Sequence, residues 1–150
     1  KDIEQIVKKS AQILNLNIAP QAVKMLSRAS RFTPRIANRL LKRVRDYIAV
    51  FNFSEINEEA ARKTLEMLEI DELGLEPPDR RLLQIIVEKF SGGPVGINTL
   101  AAAMNDDPDT IEAVYEPYLM RLSFLQRTSS GRVVTLAGSK HIGIYPKGRL

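Results

Sequence analysis

The chain has 150 residues, 44% hydrophobic and 27% charged, a composition that fits one ordinary globular domain or two small ones and excludes a fibrous or bulk-disordered chain. Cysteine is absent and histidine occurs once, at His141, so disulfides, thiol nucleophiles and thiolate metal sites are ruled out, and no G-x-S-x-G elbow exists to complete a Ser-His-Asp triad. The net charge of +4 hides a segregation: every charge between Gln5 and Arg45 is positive, while the acids gather in Asp46 to Glu88 and Asp106 to Glu116. Two basic zones, one early and one late, imply two anionic surfaces or ligands. No apolar run of about 18 residues exists, and Lys1-Asp2-Ile3-Glu4 does not resemble a signal peptide. A cytoplasmic location is therefore expected.

From Asp2 to Leu16, Ile3, Ile6, Val7, Ala11, Ile13 and Leu14 recur at helical spacing, with Lys8, Lys9 and Gln12 elsewhere, which predicts an amphipathic helix. Pro20 suits the first turn of a second helix through Val23, Leu26 and Ala29. Thr33-Pro34 is the clearest helix start, a Thr N-cap followed by Pro at the first helical position. That helix is expected to run to about Val50, burying Ile36, Leu40, Val44, Tyr47 and Ile48 and exposing Arg35, Arg39, Lys42 and Arg43. Asn57 caps a fourth helix, with Glu58 and Glu59 complementing its positive end. Residues 1–71 are thus expected to form a four-helix bundle.

Asp71 to Pro78 holds one glycine and two prolines and is expected to be the boundary, since these residues cannot continue a helix. Residues 72–150 form the second domain. Asp79 is expected to open a helix with Leu82, Leu83, Ile86, Val87 and Phe90 on one face, ending at Gly92-Gly93-Pro94. A short extended piece at Val95-Gly96-Ile97 and an Asn98-capped helix from Thr99 to Met104 follow. Asp107-Pro108 starts another helix, kinked at Glu116-Pro117. Phe124 to Thr128 and Arg132 to Thr135 read as two strands around Ser129-Ser130-Gly131. Helix, short strand, helix, turn, helix, hairpin is the order of a winged-helix domain. The tail from Ala137, with Gly138, Gly143, Pro146 and Gly148, is expected to hold little structure.

The chemistry to be expected is binding. The phosphate-binding pattern G-x-x-x-x-G-K-[ST] is missing, since no lysine follows Gly92-Gly93-Pro94-Val95-Gly96; Asp106, Asp107 and Asp109 lack the spacing of a calcium loop and read as helix caps. No catalytic residue and no metal site is assigned. From Arg121 onward there are six basic residues and no acidic one, with Arg127 and Arg132 at the two shoulders of the hairpin turn. Such a hairpin suits a phosphate backbone, or is a surface hairpin with solvated charges. The helix at the recognition position carries Asp109, Glu112 and Glu116 and no basic residue, which moves DNA contact to the wing. Arg35 lies in the first turn of its helix, on the unfavourable side of the macrodipole, where a bound anion would reverse the sign; otherwise it faces solvent.

Five strings resemble, in order, the RuvB family of AAA+ branch-migration motors: Thr33-Pro34-Arg35-Ile36-Ala37-Asn38-Arg39-Leu40-Leu41, Asp79-Arg80-Arg81-Leu82-Leu83, Gly92-Gly93-Pro94-Val95-Gly96, Thr110-Ile111-Glu112-Ala113-Val114-Tyr115-Glu116-Pro117-Tyr118-Leu119 and Phe124-Leu125-Gln126-Arg127-Thr128. The resemblance spans nearly the whole chain. It implies a mainly α fold, with an AAA+ lid bundle at residues 1–71 and a winged helix with a β-hairpin wing at 72–150. Arg35 falls on the family's sensor-2 arginine, which reaches ATP phosphates, and Arg127 and Arg132 on the wing arginines that hold DNA. It further implies ATP with Mg2+ as cofactor, double-stranded DNA and the Holliday junction as substrate, RuvA and the RuvC resolvase as partners, and a homo-hexamer active in recombination and repair. The family's P-loop, acidic magnesium-binding strand and arginine finger would precede Lys1, so this piece alone is expected to be inactive as an ATPase. The wing departs from the usual Arg-Thr-Pro-Arg-Gly-Arg by placing Ser129-Ser130 for Pro-Arg, and Phe32 and Ser123 stand where glycine is usual. The alternatives at this point are a sequence-specific winged-helix regulator and a protein-interaction adaptor.

Overall fold

A computed structural model describes residues 2–147, which divide into two compact units at Glu76/Pro77. Lys1, Gly148, Arg149 and Leu150 lie outside the described residues. The fold is mostly helical, with one antiparallel hairpin. No helix among the described residues is long and apolar enough to cross a membrane.

The first unit contains α1 (Asp2–Ile13), α2 (Pro20–Arg28), α3 (Pro34–Val50) and α4 (Glu58–Met67). Their apolar faces meet in a core of Leu26, Leu40, Leu41, Val44, Ile56 and Leu65, with alanines such as Ala22, Ala60 and Ala61 allowing close helix approach. The two long connectors are tied together by a parallel bridge between Ile18 and Ile56, through Ile56 N–H to Asn17 O at 2.8 Å and Ala19 N–H to Ile56 O at 2.9 Å. Asn57 caps α4 by accepting from Ala60 N–H at 2.8 Å. Asp71–Leu75 belongs to this unit as a compact turn: the Asp71 Oδ1 accepts from the amides of Leu73 and Leu75, and Leu75 is fully buried. Gly74 allows it, with φ +85° and a backbone so close to Ala29 O that a Cβ would sit 2.4 Å from it. The boundary expected at 71/72 and the division at 76/77 bracket this turn.

The second unit opens with α5 (Pro77–Lys89), not at Asp79: Pro77 and Pro78 fill the first helical turn, where an N–H is not required. Next comes α6 (Ile97–Met104), which begins one residue before the expected Asn98 cap, with Gly96 at the N-cap. Three helical pieces then follow without a break: α7 (Pro108–Thr110), a widened turn (Ile111–Tyr115) and α8 (Glu116–Arg121). In the widened turn the Glu116 N–H donates to Ile111 O, five residues back. Pro117 accounts for it, because proline has no N–H and its ring clashes with a carbonyl four residues earlier in a regular helix. The strands β1 (Leu125–Thr128) and β2 (Gly131–Val134) make the hairpin, and Val95 adds a one-residue antiparallel bridge to Arg132.

The expectation of a structureless tail is overturned by α9 (Leu136–Ile142). Thr135 caps it by accepting from Gly138 N–H at 3.0 Å, and Gly143 closes it in the left-handed conformation. Gly138 lies inside the helix because its backbone touches the hairpin: a Cβ there would be 2.6 Å from Phe124 O.

Candidate nucleic-acid interface

Strand pairing decides where the wing arginines point. Leu125 faces Val134 across the hairpin, and two residues further along Arg127 faces Arg132. Side chains two apart share a face of a strand, so both arginines lie on the same side as the buried Leu125 and Val134. Their side chains turn inward from the hairpin rather than standing out from the turn. Like charges directly opposite each other destabilise a hairpin unless an anion lies between them.

Glu116 is that anion. Its side chain is 0% exposed; Oε1 accepts from Arg127 Nη2 at 2.7 Å, and Oε2 accepts from Arg132 Nε at 2.7 Å. Arg132 Nη2 adds a longer bond to Oε1 at 3.4 Å. Glu112 stands farther off, 3.5 Å from Arg132 Nη2 and 3.9 Å from Arg127 Nη2. The hydrogen bond and charge of Glu116 raise the Arg127 guanidinium above its already high ordinary value, against the opposing pull of burial and with a further rise from Glu112. Two carboxylates and two guanidiniums thus form one cluster between the helix and the wing.

The four groups differ in access to solvent. The Arg132 side chain is 10% exposed and spans the buried carboxylate, whereas Arg127 is 46% and Glu112 43% exposed. Two expectations are corrected. The absence of acids after Arg121 does not leave the wing arginines without counter-charges, because a helix sixteen residues before Arg132 provides them. The acidity of the recognition-position helix is not a bare negative field, because Glu112 and Glu116 both face arginine. Period-two spacing from Leu125 was the available signal for the inward turn; nothing local signalled Glu116.

Arg35 lies far from this cluster in sequence, exposed in the first turn of α3 and without an ion-pair partner among the described residues. Thr33 occupies the N-cap position, yet its hydroxyl donates back to Arg31 O at 3.1 Å and takes no amide of the first turn. This combination of an uncapped helix start and a free guanidinium fits an anionic group such as a nucleotide phosphate. Farther along the helix, Arg39 and Arg43 line a shallow cleft with Leu40, Leu68, Ile70 and Glu76. Among the described residues no group of three or more His, Asp or Glu side chains is placed to hold a metal ion.

Comparison with known proteins finds two family models that together run along nearly the whole chain. Residues 1–71 match the RuvB AAA lid domain and residues 72–143 the RuvB C-terminal winged helix domain. The Holliday junction branch migration complex subunit RuvB of Chloroflexus aggregans is 54% identical over 147 residues, covering 97% of this chain and 42% of that protein. The subunit of the same name from Trichormus variabilis is 48% identical over 145 residues, covering 97% of this chain and 40% of its own length. The chain therefore spans about two fifths of the length of these relatives. The solved structure of the Thermotoga maritima RuvB Holliday junction branch migration motor superposes with a TM-score of 0.90 at 44% identity, over 95% of this chain and 48% of that one. The chain belongs to the RuvB family, with the family's lid and winged-helix domains as its two units.

Proposed function

We propose that this chain is the nucleotide-sensing lid and the DNA-gripping wing of an ATP-driven, homo-hexameric motor that branch-migrates Holliday junctions in the cytoplasm, with RuvA and RuvC as partners. The observation that supports the grip is the unequal exposure of the two wing arginines. Arg127 keeps a half-exposed guanidinium at the edge of the hairpin, whereas Arg132 is buried beside Glu116. In this reading Arg127 meets the phosphate backbone, and Arg132 contributes by holding the hairpin to α8. Backbone contact without base contact gives affinity with little sequence preference. Arg35, with the uncapped first turn of α3, is the proposed contact to ATP phosphates. ATP, bound with Mg2+, would supply the anhydride whose hydrolysis drives movement, and in this chain Arg35 would hold and orient its phosphates.

The test is equilibrium binding of the chain to mixed-sequence duplex DNA across a salt series. Arg127→Ala should weaken binding and lower the slope of log K against log salt by about 0.9, the loss of one phosphate contact. An unchanged slope would remove the wing from the interface.

A further inference from the structure

Within the cluster, Glu112 does something different from Glu116. Glu116 is buried and bonds at 2.7 Å to both arginines, as a fixed anchor does. Glu112 is nearly half exposed, lies on the widened turn before α8, and reaches the same two guanidiniums only at 3.5 and 3.9 Å. Those are ion-pair distances without a hydrogen bond, in a position open to water, where a pair is weak and easily exchanged. Arg127 and Arg132 are thus held by one carboxylate and faced by a second, looser one.

Taking the wing as the DNA contact, we infer that Glu112 is a displaceable counter-ion of the wing, an intramolecular stand-in for the phosphate that Arg127 binds. A phosphate oxygen prefers charged N–H donors at about 2.7–2.9 Å, closer than Glu112 comes. Duplex DNA therefore competes with Glu112 for Arg127, while Glu116 keeps the guanidinium pair in register. The Glu112 carboxylate stays near the incoming backbone and repels it, so it sets the affinity and the salt dependence of the grip without touching DNA. Its effect is that of a positioning residue acting through Arg127.

The experiment is the same salt series with Glu112→Gln, which removes the charge and keeps the shape of an exposed side chain. Binding should tighten by about three- to tenfold at low salt and the slope should steepen by up to about one unit, because no freed carboxylate then takes up a cation in place of one released from the DNA. Glu88→Gln is the control: Glu88 is exposed on α5, its carboxylate accepting from Gln84 Nε2 at 2.9 Å, and the change alters net charge equally. It should shift affinity by less than about twofold. Unchanged or weaker binding by Glu112→Gln overturns the inference, as does an equal gain from Glu88→Gln, which would make the effect one of net charge. Loss of binding in Arg127→Ala beside no gain in Glu112→Gln sinks the counter-ion alone. Full binding in Arg127→Ala removes the wing reading beneath it.

Discussion

Glu116 grips Arg132 through two hydrogen bonds, Nε to Oε2 at 2.7 Å and Nη2 to Oε1 at 3.4 Å, with both side chains out of solvent. The same carboxylate takes Arg127, so a single buried charge balances two guanidiniums that would otherwise repel each other across the hairpin. Removing it leaves a buried cation without its anion, the situation in which a broken buried pair costs about 3–5 kcal/mol. Glu116→Ala should therefore lower the stability of the second unit by that order in urea unfolding, with Glu116→Gln less damaging because an acceptor oxygen remains. A loss below about 1 kcal/mol, the range of surface pairs, would mean that the cluster is hydrated and not the anchor described above.

The pH behaviour of Arg127 follows from its raised pKa. A cation whose folded-state pKa lies above the unfolded one adds stability that is fully present below the unfolded value and disappears only as pH rises through the folded value. For arginine both lie beyond the range in which proteins are usually studied. The stability difference between the native chain and Arg127→Ala should stay constant between about pH 6 and pH 10. A difference that fades towards pH 10 would point to another titrating partner.

Ser123 sits at the end of α8 with φ +62°, where Phe124 N–H bonds back to Leu119 O at 2.9 Å and Ser123 N–H to Met120 O at 3.0 Å. This is a helix end closed by a left-handed residue, for which glycine is the natural occupant. A side chain there costs roughly 1–2 kcal/mol, and glycine gives part of that back through greater freedom of the unfolded chain. Ser123→Gly should raise stability by about 0.5–1 kcal/mol. Phe32, at φ +60°, should respond in the same direction. Thermal midpoints that fall in both variants would show that the side chains make contacts worth more than the strain.

Much of the fold was legible because its signals are local. Thr33-Pro34 and Asn57 start helices where they stand, and Ser129-Ser130-Gly131 between two short strand-like runs marks the hairpin. The same residue types misled where local rules have two readings. Pro77-Pro78 looked like a helix break, but a first turn needs no N–H from them. Gly138 looked like a sign of disorder, but it is the point where α9 presses on Phe124. The candidate site was half legible: Arg127 and Arg132 were proposed from charge, while their inward direction required the register from Leu125 and the carboxylate of Glu116, which only tertiary packing brings near. Thr33 shows a finer limit, since its identity announces a cap but its hydroxyl takes another partner.

Gly138 offers a direct check on the packing of α9 against the wing. An alanine Cβ would come within 2.6 Å of Phe124 O, 3.0 Å of Val134 Cγ1 and 3.1 Å of Phe124 Cβ. The nearest atom is backbone and cannot swing away, so the helix must shift. Overpacking of this kind costs about 1–3 kcal/mol, more than the helix propensity that alanine adds. Gly138→Ala should destabilise the second unit, whereas Gly96→Ala, with nothing within 4 Å of the added Cβ, should not. Equal behaviour of the two would show that α9 is not docked as described.

Arg35 separates the nucleotide from the DNA side of the proposal. The residue belongs to the first unit and is exposed at the start of α3. One charged hydrogen bond to a phosphate oxygen carries roughly 1.5–3 kcal/mol, equivalent to about ten- to a hundredfold in rate if it forms in the transition state. In a protein that joins this chain to its ATPase domain, Arg35→Ala should cut steady-state ATP turnover by that factor. Binding of duplex DNA by the 150-residue chain should be unchanged in both affinity and salt slope, because the substitution lies outside the wing. Arg35→Lys should recover part of the turnover if the role is electrostatic, and little if the planar fork of arginine is required. Normal turnover in Arg35→Ala would take the residue out of the nucleotide site, and a lost DNA salt slope would place it instead among the phosphate contacts.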